Sequence, residues 1–467
     1  MAATDGRRLN RQTDRLAELL GPGGLLTGAD VVLRAEGWGA PTPCQALAIA
    51  RPATTAQVSA VLSFCQTENI AVVPYGGGTG LVQGAVAGPD ELLLSLERMR
   101  RTPEIDPVAR IATVDAGVTL QDLQQTADAD DLLFPLDLGA RGSATIGGNV
   151  STNAGGNRVI RFGMMREMVL GLEAVLADGT VVSSMNRMLK NNAGYDLKQL
   201  FIGSEGTLGV VTRIILRLRE KPVSQNLALV AAPGFPAILR MLKLADRALG
   251  GQLSAFEVMW REFYEIVTTP PARNAPPLAH GAPCYVLIES LGGNESADRQ
   301  RFEEMLGVLF DERTVTDAVI ADSRNRIDAL WAIRDSVEEL LHLGPTLMFD
   351  VSLPITAMES YVHDVRAQLD GRLAGSRCVV WGHVGDSNLH LWISHTVVNA
   401  EIRDCVESIV YGPLRDIGGS ISAEHGIGVE KRRYLGLSRS GVEIAMMRAL
   451  KSTLDPRGIL NPGKVLD

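Results

Sequence analysis

The sequence has little cysteine and little histidine, and it lacks the runs that mark several large classes of protein. Five cysteines, Cys44, Cys65, Cys284, Cys378 and Cys405, are scattered over 467 residues. Their odd number, wide spacing and want of any C-x-x-C disfavour a disulfide framework and a thiolate zinc site. They read as small core residues of a protein kept in reducing cytoplasm. No apolar stretch approaches the length of a membrane span. The amino terminus holds Arg7-Arg8 but no uninterrupted apolar region, so it does not make a twin-arginine export signal. Lys and Arg number 45 against 54 Asp and Glu, for a net charge of -9, and no basic run occurs. There is thus no footprint for nucleic acid or for an anionic membrane surface. Repeats and low-complexity tracts are also absent. What remains is an acidic globular chain, long enough to predict two or three domains.

Composition shifts divide it. A helix in "RQTDRLAELL" and a Gly/Pro-rich lead-in run to about residue 45. From residue 46, "QALAIARPATTAQVSAVLSFCQTENIAVVPYGGGTG" predicts strand, helix and strand, with Thr54 or Thr55 as the cap and Val58, Val61, Leu62 and Cys65 on the buried face. Short strands follow in "ELLLSL", "IATVDAG", "VLGLEAVLADGTVVSS" and "GVVTRIILRL". Gly-rich connections in place of regular strand-helix alternation predict an α+β domain that ends near residue 220. The pattern restarts at 221 with "NLALVAAPGFPAILRMLKLADRAL". Strands in "CYVLIES" and "VVWGHV", a helix over "RIDALWAIRDSVEELLHL" and a surface loop in "TTPPARNAPPLAHGAP" complete the second part.

Glycine is where the chemistry begins. "PYGGGTGLVQG" invites a nucleotide-binding reading, yet no G-x-G-x-x-G register is complete and no P-loop Lys-Ser or Lys-Thr follows. A Rossmann site is therefore disfavoured. Consecutive backbone N–H groups in such a loop can still converge on a pyrophosphate, although a tight turn between strands is the commoner use. "TIGGNVSTNAGG" and "GYDLKQLFIGSEGTLGVVT" add two more glycine-rich loops to the same domain. Together the three can enclose a large cofactor with backbone contacts.

These loops, taken in order with "HVGDSNLH", "SAEHGIG" and "LDPRGILNPGK", resemble the FAD-linked D-2-hydroxy-acid dehydrogenases of the p-cresol methylhydroxylase/vanillyl-alcohol oxidase flavoprotein superfamily. The resemblance runs from about residue 45 to the end. It leans toward the D-2-hydroxyglutarate dehydrogenases, with D-lactate dehydrogenases and glycolate oxidase flavoprotein subunits nearby. It implies a two-subdomain FAD-binding domain over 46–220 behind the lead-in 1–45, an α+β substrate and metal-binding domain over 221–430, and a C-terminal segment, 431–467, that returns to the flavin. Matched by motif, Gly76, Gly77, Gly78, Thr79 and Gly80 would wrap the pyrophosphate, with Pro74 and Gly84 also binding the cofactor. Gly147, Gly148, Asn149, Ser151, Thr152, Asn153, Ala154 and Gly155 would line the flavin, with Gly206, Val210, Val211 and Asn461 closing around it. The family commonly has Asn where this chain has Gly78. No His or Cys occurs in the first two loops, so the FAD is expected to be non-covalent.

Three of the seven histidines, His383, His390 and His395, lie in "WGHVGDSNLHLWISH". "CVVWGHV" and "NLHLWIS" suit strands. A two-residue turn at Asp386-Ser387 would set His383 opposite His390, within reach of one ion. Hydrogen-bonded core histidines are the competing reading. Glu424, in "SISAEHGIG", is a candidate third ligand, and two histidines with one carboxylate leave a zinc position open to substrate. The resemblance assigns the same three residues, His383, His390 and Glu424, to a divalent metal, usually zinc. It makes His425 the general base and Arg334 the grip on the substrate carboxylate, with Asn388 adding a hydrogen bond; His395 is left as structural. Two departures concern the substrate. Glu338 stands where the hydroxyglutarate enzymes have Thr, and Met348 where they have Lys. Both weaken attraction for a dianion and favour a monocarboxylic or more apolar D-2-hydroxy acid. Ser387 also replaces the usual Gly of the turn. The implied reaction oxidises such an acid to its 2-oxo acid by hydride transfer to FAD, which an electron-transfer flavoprotein, quinone or cytochrome would reoxidise. A homodimer is compatible with it. A flavin-binding subunit without catalysis of its own is the alternative from another class.

Overall fold

The computed structural model describes residues 2–37 and 40–466, so the end of the lead-in at 38–39 lies outside the described residues. The chain forms two compact units. The first is Met1–Gly155, Met164–Lys221 and Glu424–Asp467; the second is Gly156–Gly163 and Pro222–Ala423. Two short stretches thus fall differently from the sequence boundaries: 156–163 goes with the second unit, and 424–430 with the first.

The first unit has two main sheets. One is four-stranded, in the order Leu25–Leu26, Ala48–Ala50, Glu91–Ser95, Ala71–Tyr75, with parallel pairing among the last three. The helix Thr55–Glu68 connects two of these strands as the sequence predicts. Thr54 is its N-cap and accepts from the Gln57 N–H, and Val58, Val61, Leu62 and Cys65 are buried. The other sheet is antiparallel, in the order Val181–Ser184, Val169–Val175, Val210–Arg217, Ile111–Asp115, Glu104–Asp106. "VLGLEAVLADGTVVSS" is therefore a hairpin of two strands. The C-terminal segment returns to the first sheet, where Leu460 bridges Val72 in parallel. Asp455 holds this return by accepting from the N–H groups of Ile459 (3.0 Å) and Leu460 (2.8 Å).

The second unit is built on one antiparallel seven-stranded sheet. The strands run in the order Asp317–Ile320, Ser224–Ala232, Cys284–Gly292, Leu253–Trp260, Arg377–Gly382, Asn388–Ser394, Thr346–Ser352. Every residue of Leu253–Trp260 and of Cys284–Gly292 is buried. Such strands show little polar alternation because both of their faces are covered. The expected long helix is broken in two. An α-helix spans Arg324–Asp335 and a 3-10 stretch spans Val337–Leu343. Ser336 separates them, and its hydroxyl turns back to donate to the Ala332 carbonyl (2.7 Å).

Candidate active site

The first unit carries the three glycine-rich loops. Gly76, Gly77, Gly78, Thr79 and Gly80 follow directly on the strand Ala71–Tyr75. Gly78 has φ 66, and a Cβ there would stand 2.2 Å from the Tyr75 hydroxyl oxygen. The left-handed backbone and the nearby tyrosine both favour glycine at this position. Gly147, Gly148, Asn149 and Ser151 belong to the helical turn Ile146–Ser151, N-capped by Thr145. The hydroxyls of Ser151 and Thr152 donate to the carbonyls of Gly147 (2.8 Å) and Gly148 (3.1 Å), so each spends its own proton on the helical turn. Asn153, at φ 49, accepts from the Arg166 N–H (2.9 Å), and Ala154 returns its N–H to Asn149 (2.8 Å) just before Gly155. Gly206 packs on Pro74, and Val210 and Val211 are buried at the start of their strand. The Asn461 amide donates to the carbonyls of Gly84 (3.0 Å) and Glu205 (2.7 Å), drawing the C-terminal return into the same cradle. Two buried amide atoms there, Nδ2 of Asn149 and Oδ1 of Asn461, lack a partner among the described residues. Native interiors rarely leave such atoms unmatched, and a polar cofactor in the cradle would satisfy both. The residues fit FAD.

The second unit gathers charge on one face of its sheet. Glu257, Glu289 and Asp350 each sit inside an otherwise apolar strand, in "SAFEVMW", "YVLIES" and "LMFDVS". The pairings Ala255 with Glu289, Met259 with Trp381, Trp381 with His390 and Asp350 with His390 put all three acids on the face that bears His390. The helix Arg324–Asp335 lies over this face. From it Trp331 donates to Glu289 (3.2 Å) and Arg334 Nε to Glu257 (2.7 Å). Glu257 also accepts from His383 Nδ1 (2.7 Å). Burial works against its ionised form, but His383 and Arg334 outweigh that and hold its carboxyl down to about 2.

The two histidines meet by a route other than the expected two-residue turn. The strand ends at Gly382 and restarts at Asn388, and Trp381, rather than His383, is the residue opposite His390. A 3-10 turn over Val384–Asp386 and a left-handed Ser387, at φ 76, bring the chain round. The extra length still leaves the imidazoles of His383 and His390 with centroids 5.3 Å apart. Asp350, fully buried, lies 4.0 Å from His390 Nδ1 and accepts from Asn388 Nδ2 (2.8 Å). Its other oxygen accepts from the Ser422 hydroxyl (3.3 Å) and the Ala423 N–H (3.1 Å).

The expected substrate residues sort differently. Arg334 is 6% exposed, and it donates to His383 Nε2 (3.1 Å) as well as to Glu257. It is a buried helix arginine, not one on a solvated face. The side-chain donors of Asn388 are engaged by Asp350 and the Val351 carbonyl (3.1 Å), and its buried Oδ1 lacks a partner among the described residues. Met348, 41% exposed, pairs with Trp392 two residues along from Asp350 and His390. Glu338 is exposed on the 3-10 stretch, so it does not follow Arg334 on one helical face. The His395 ring bonds locally, to the Val397 carbonyl (2.8 Å), while its backbone N–H donates to the Pro345 carbonyl (3.2 Å). Glu424 and His425 are half-buried and open the last segment of the first unit.

Comparison with known proteins matches residues 46–184 to an FAD binding domain and residues 221–465 to the C-terminal domain of FAD linked oxidases. A D-2-hydroxyglutarate dehydrogenase of Danio rerio is 42% identical over 89% of this chain and 78% of its own. The Bos taurus enzyme of that name is 41% identical over 89% and 76%, and a putative D-lactate dehydrogenase of Schizosaccharomyces pombe 37% over 89% and 80%. Among solved structures, p-cresol methylhydroxylase aligns with TM-score 0.77 at 17% identity, covering 98% of this chain and 97% of its own. An alkyldihydroxyacetonephosphate synthase aligns with TM-score 0.75 at 15% identity, over 97% and 86%. These two share the fold. The cytoplasmic setting expected from the cysteines is overturned, because the fish, cattle and yeast relatives are all named mitochondrial. Free thiols mark a reducing compartment without saying which one. With its flavin cradle in one unit and its acid-histidine face in the other, the chain is an FAD-dependent oxidoreductase and belongs to the family of FAD-linked D-2-hydroxy-acid dehydrogenases.

Proposed function

We propose that the protein oxidises a D-2-hydroxy acid to its 2-oxo acid, with His383, His390 and Glu424 holding a divalent cation, zinc by the donor set, and His425 as general base. The observation that carries this is the buried pair His383 and His390, set 5.3 Å apart and backed by Glu257 and Asp350. Carboxylates behind imidazoles fix ring orientation and raise ligand basicity, the arrangement metal-binding histidines use. Glu424 is the residue after Ala423, whose N–H rests on Asp350, so the carboxylate that orders Asn388 also ends next to the third ligand. Bound FAD supplies a hydride acceptor and a bound cation a Lewis acid.

The chain's own groups do the rest. His425 takes the hydroxyl proton as hydride leaves Cα. Arg334 now covers the His383 Nε2 lone pair. To let that nitrogen ligate, the guanidinium must turn away, which frees its donors for the substrate carboxylate. Asn388 Oδ1 offers an acceptor to the substrate hydroxyl. Met348 and Glu338 bring no cation to the substrate tail, which favours an acid without a second carboxylate. The identity of 42% to a D-2-hydroxyglutarate dehydrogenase favours D-2-hydroxyglutarate as the second reading. An electron-transfer flavoprotein, a quinone or a cytochrome would then reoxidise the enzyme.

The test is anaerobic bleaching of the bound flavin by D-2-hydroxyglutarate, D-malate, D-lactate, glycolate and longer D-2-hydroxy acids, before and after chelation. Bleaching that chelation abolishes and zinc restores, and that His425→Ala loses with FAD still bound, is the expected result. Unchanged turnover in His425→Ala would overturn the assignment of the base.

A further inference from the structure

Glu205 stands at the junction of the flavin cradle and the segment that carries His425, and sequence motifs assign it no role. Its backbone belongs to the cradle. The N–H donates to the Ser151 carbonyl (2.8 Å), and the carbonyl accepts from Asn461 Nδ2 (2.7 Å). Its side chain belongs to the other segment. Oε1 accepts from the Ile427 N–H (2.7 Å) and Oε2 from the Gly428 N–H (2.8 Å). Two consecutive amides on one carboxylate fix the direction of the chain there, two residues past His425.

The surroundings are shaped to this contact. Gly426 has φ 85, and a Cβ on it would stand 2.8 Å from Glu205 Oε1, so the backbone closes directly on the carboxylate. On its other side the segment is pinned by Val429, whose N–H donates to the Val82 carbonyl (3.0 Å). Glu205 itself is held at φ 52, a region that disfavours a side chain-bearing residue. This backbone conformation lets one residue bond the cradle through its peptide groups and the Gly-Ile-Gly stretch through its side chain. Burial pushes the Glu205 carboxyl up, against the pull of both N–H groups and of Lys431.

We infer that Glu205 is a positioning residue for the oxidation: its carboxylate clamps the 426–428 backbone and thereby fixes the His425 imidazole relative to the flavin cradle. The inference rests on His425 being the base. A general base works only from within hydrogen-bond reach of the proton it removes, and a misplacement of about 1 Å costs roughly 10²-fold in rate.

The experiment compares wild type, Glu205→Gln and Glu205→Ala as FAD-loaded full-length protein. It reads the anaerobic flavin reduction rate against hydroxy-acid concentration, the flavin content and visible spectrum, and hydrogen exchange of the amides at 426–428. In Glu205→Ala the expected result is a limiting reduction rate lower by roughly 10²-fold, with half-saturation changed less than about threefold. FAD content and spectrum should stay as in wild type, while the 426–428 amides exchange faster. Glu205→Gln keeps one acceptor and should fall between the two. Wild-type rate and exchange in Glu205→Ala would overturn the inference. So would a rate loss that merely tracks loss of FAD, since Glu205 would then be a cradle residue only. If no hydroxy acid reduces the wild-type flavin, the proposed reaction fails; unchanged exchange in the variants would separately remove the clamp.

Discussion

At the scale of single residues, the chain places its acids where the surrounding sequence argues against them. Glu257 and Asp350 are flanked by apolar neighbours, and Glu289 ends the apolar run "YVLI", in strands that read as plain core. That contrast is the signal by which they could be found, since an ionised group buried in a strand must have a partner. Histidine, being scarce, drew attention to itself; glutamate, being common, did not. Glu289 makes a measurable case. Burial opposes its ionised form, yet Arg158 at 2.9 Å, with Ser254 and Gln225, holds its carboxyl below the ordinary 4.5. A depressed folded value contributes stability that is complete above the unfolded value and is lost as the pH falls through the folded one. The stability gap between wild type and Glu289→Gln, measured by urea unfolding, should therefore be constant above about pH 5 and narrow as the pH is lowered below it. A gap that widens toward acid would contradict the assigned direction.

At the scale of elements, strands and capped helices were legible, but the geometry between them was only partly so. Alternation and the Thr54 cap locate the helix Thr55–Glu68. The pairing of His383 with His390 is also visible from spacing, though not the way it is made. A two-residue turn would keep both on paired strand positions, whereas the chain inserts a 3-10 turn and sets Ser387 at φ 76. No local pattern announces a non-glycine residue in that conformation. The break after Asp335 was equally hidden, because "SVEELL" has good helix formers and only the Ser336 hydroxyl, turned back on Ala332, marks the stop. The hairpin offers a direct check. Serine in the left-handed region costs about 1–2 kcal/mol, and glycine gives back about 0.5–1 kcal/mol through its freer unfolded state. Ser387→Gly should thus stabilise the second unit by about 0.5 kcal/mol, read as a higher urea midpoint at unchanged slope. A lower midpoint would show that the serine makes a contact worth more than its strain.

At the scale of the molecule, six ordered motifs identified the fold and the flavin, since each loop is local in sequence. The cradle contains no His or Cys in its first two loops, so acid precipitation should leave the yellow chromophore in the supernatant; colour in the pellet would mean a covalent link. What no motif conveyed is the way the chain divides its loyalties. Residues 156–163 leave the first unit and join the second, where Arg158 pairs with the fully buried Glu289 and Arg161 donates to the Leu291 carbonyl. The second unit is therefore not a cassette. A recombination event that exchanged 222–423 alone would import a buried carboxylate and leave its arginine behind in another lineage. Substrate halves can move between members of the family only if this eight-residue passenger moves with them or already matches, which makes the short excursion at 156–163 a linkage constraint on how new specificities are assembled.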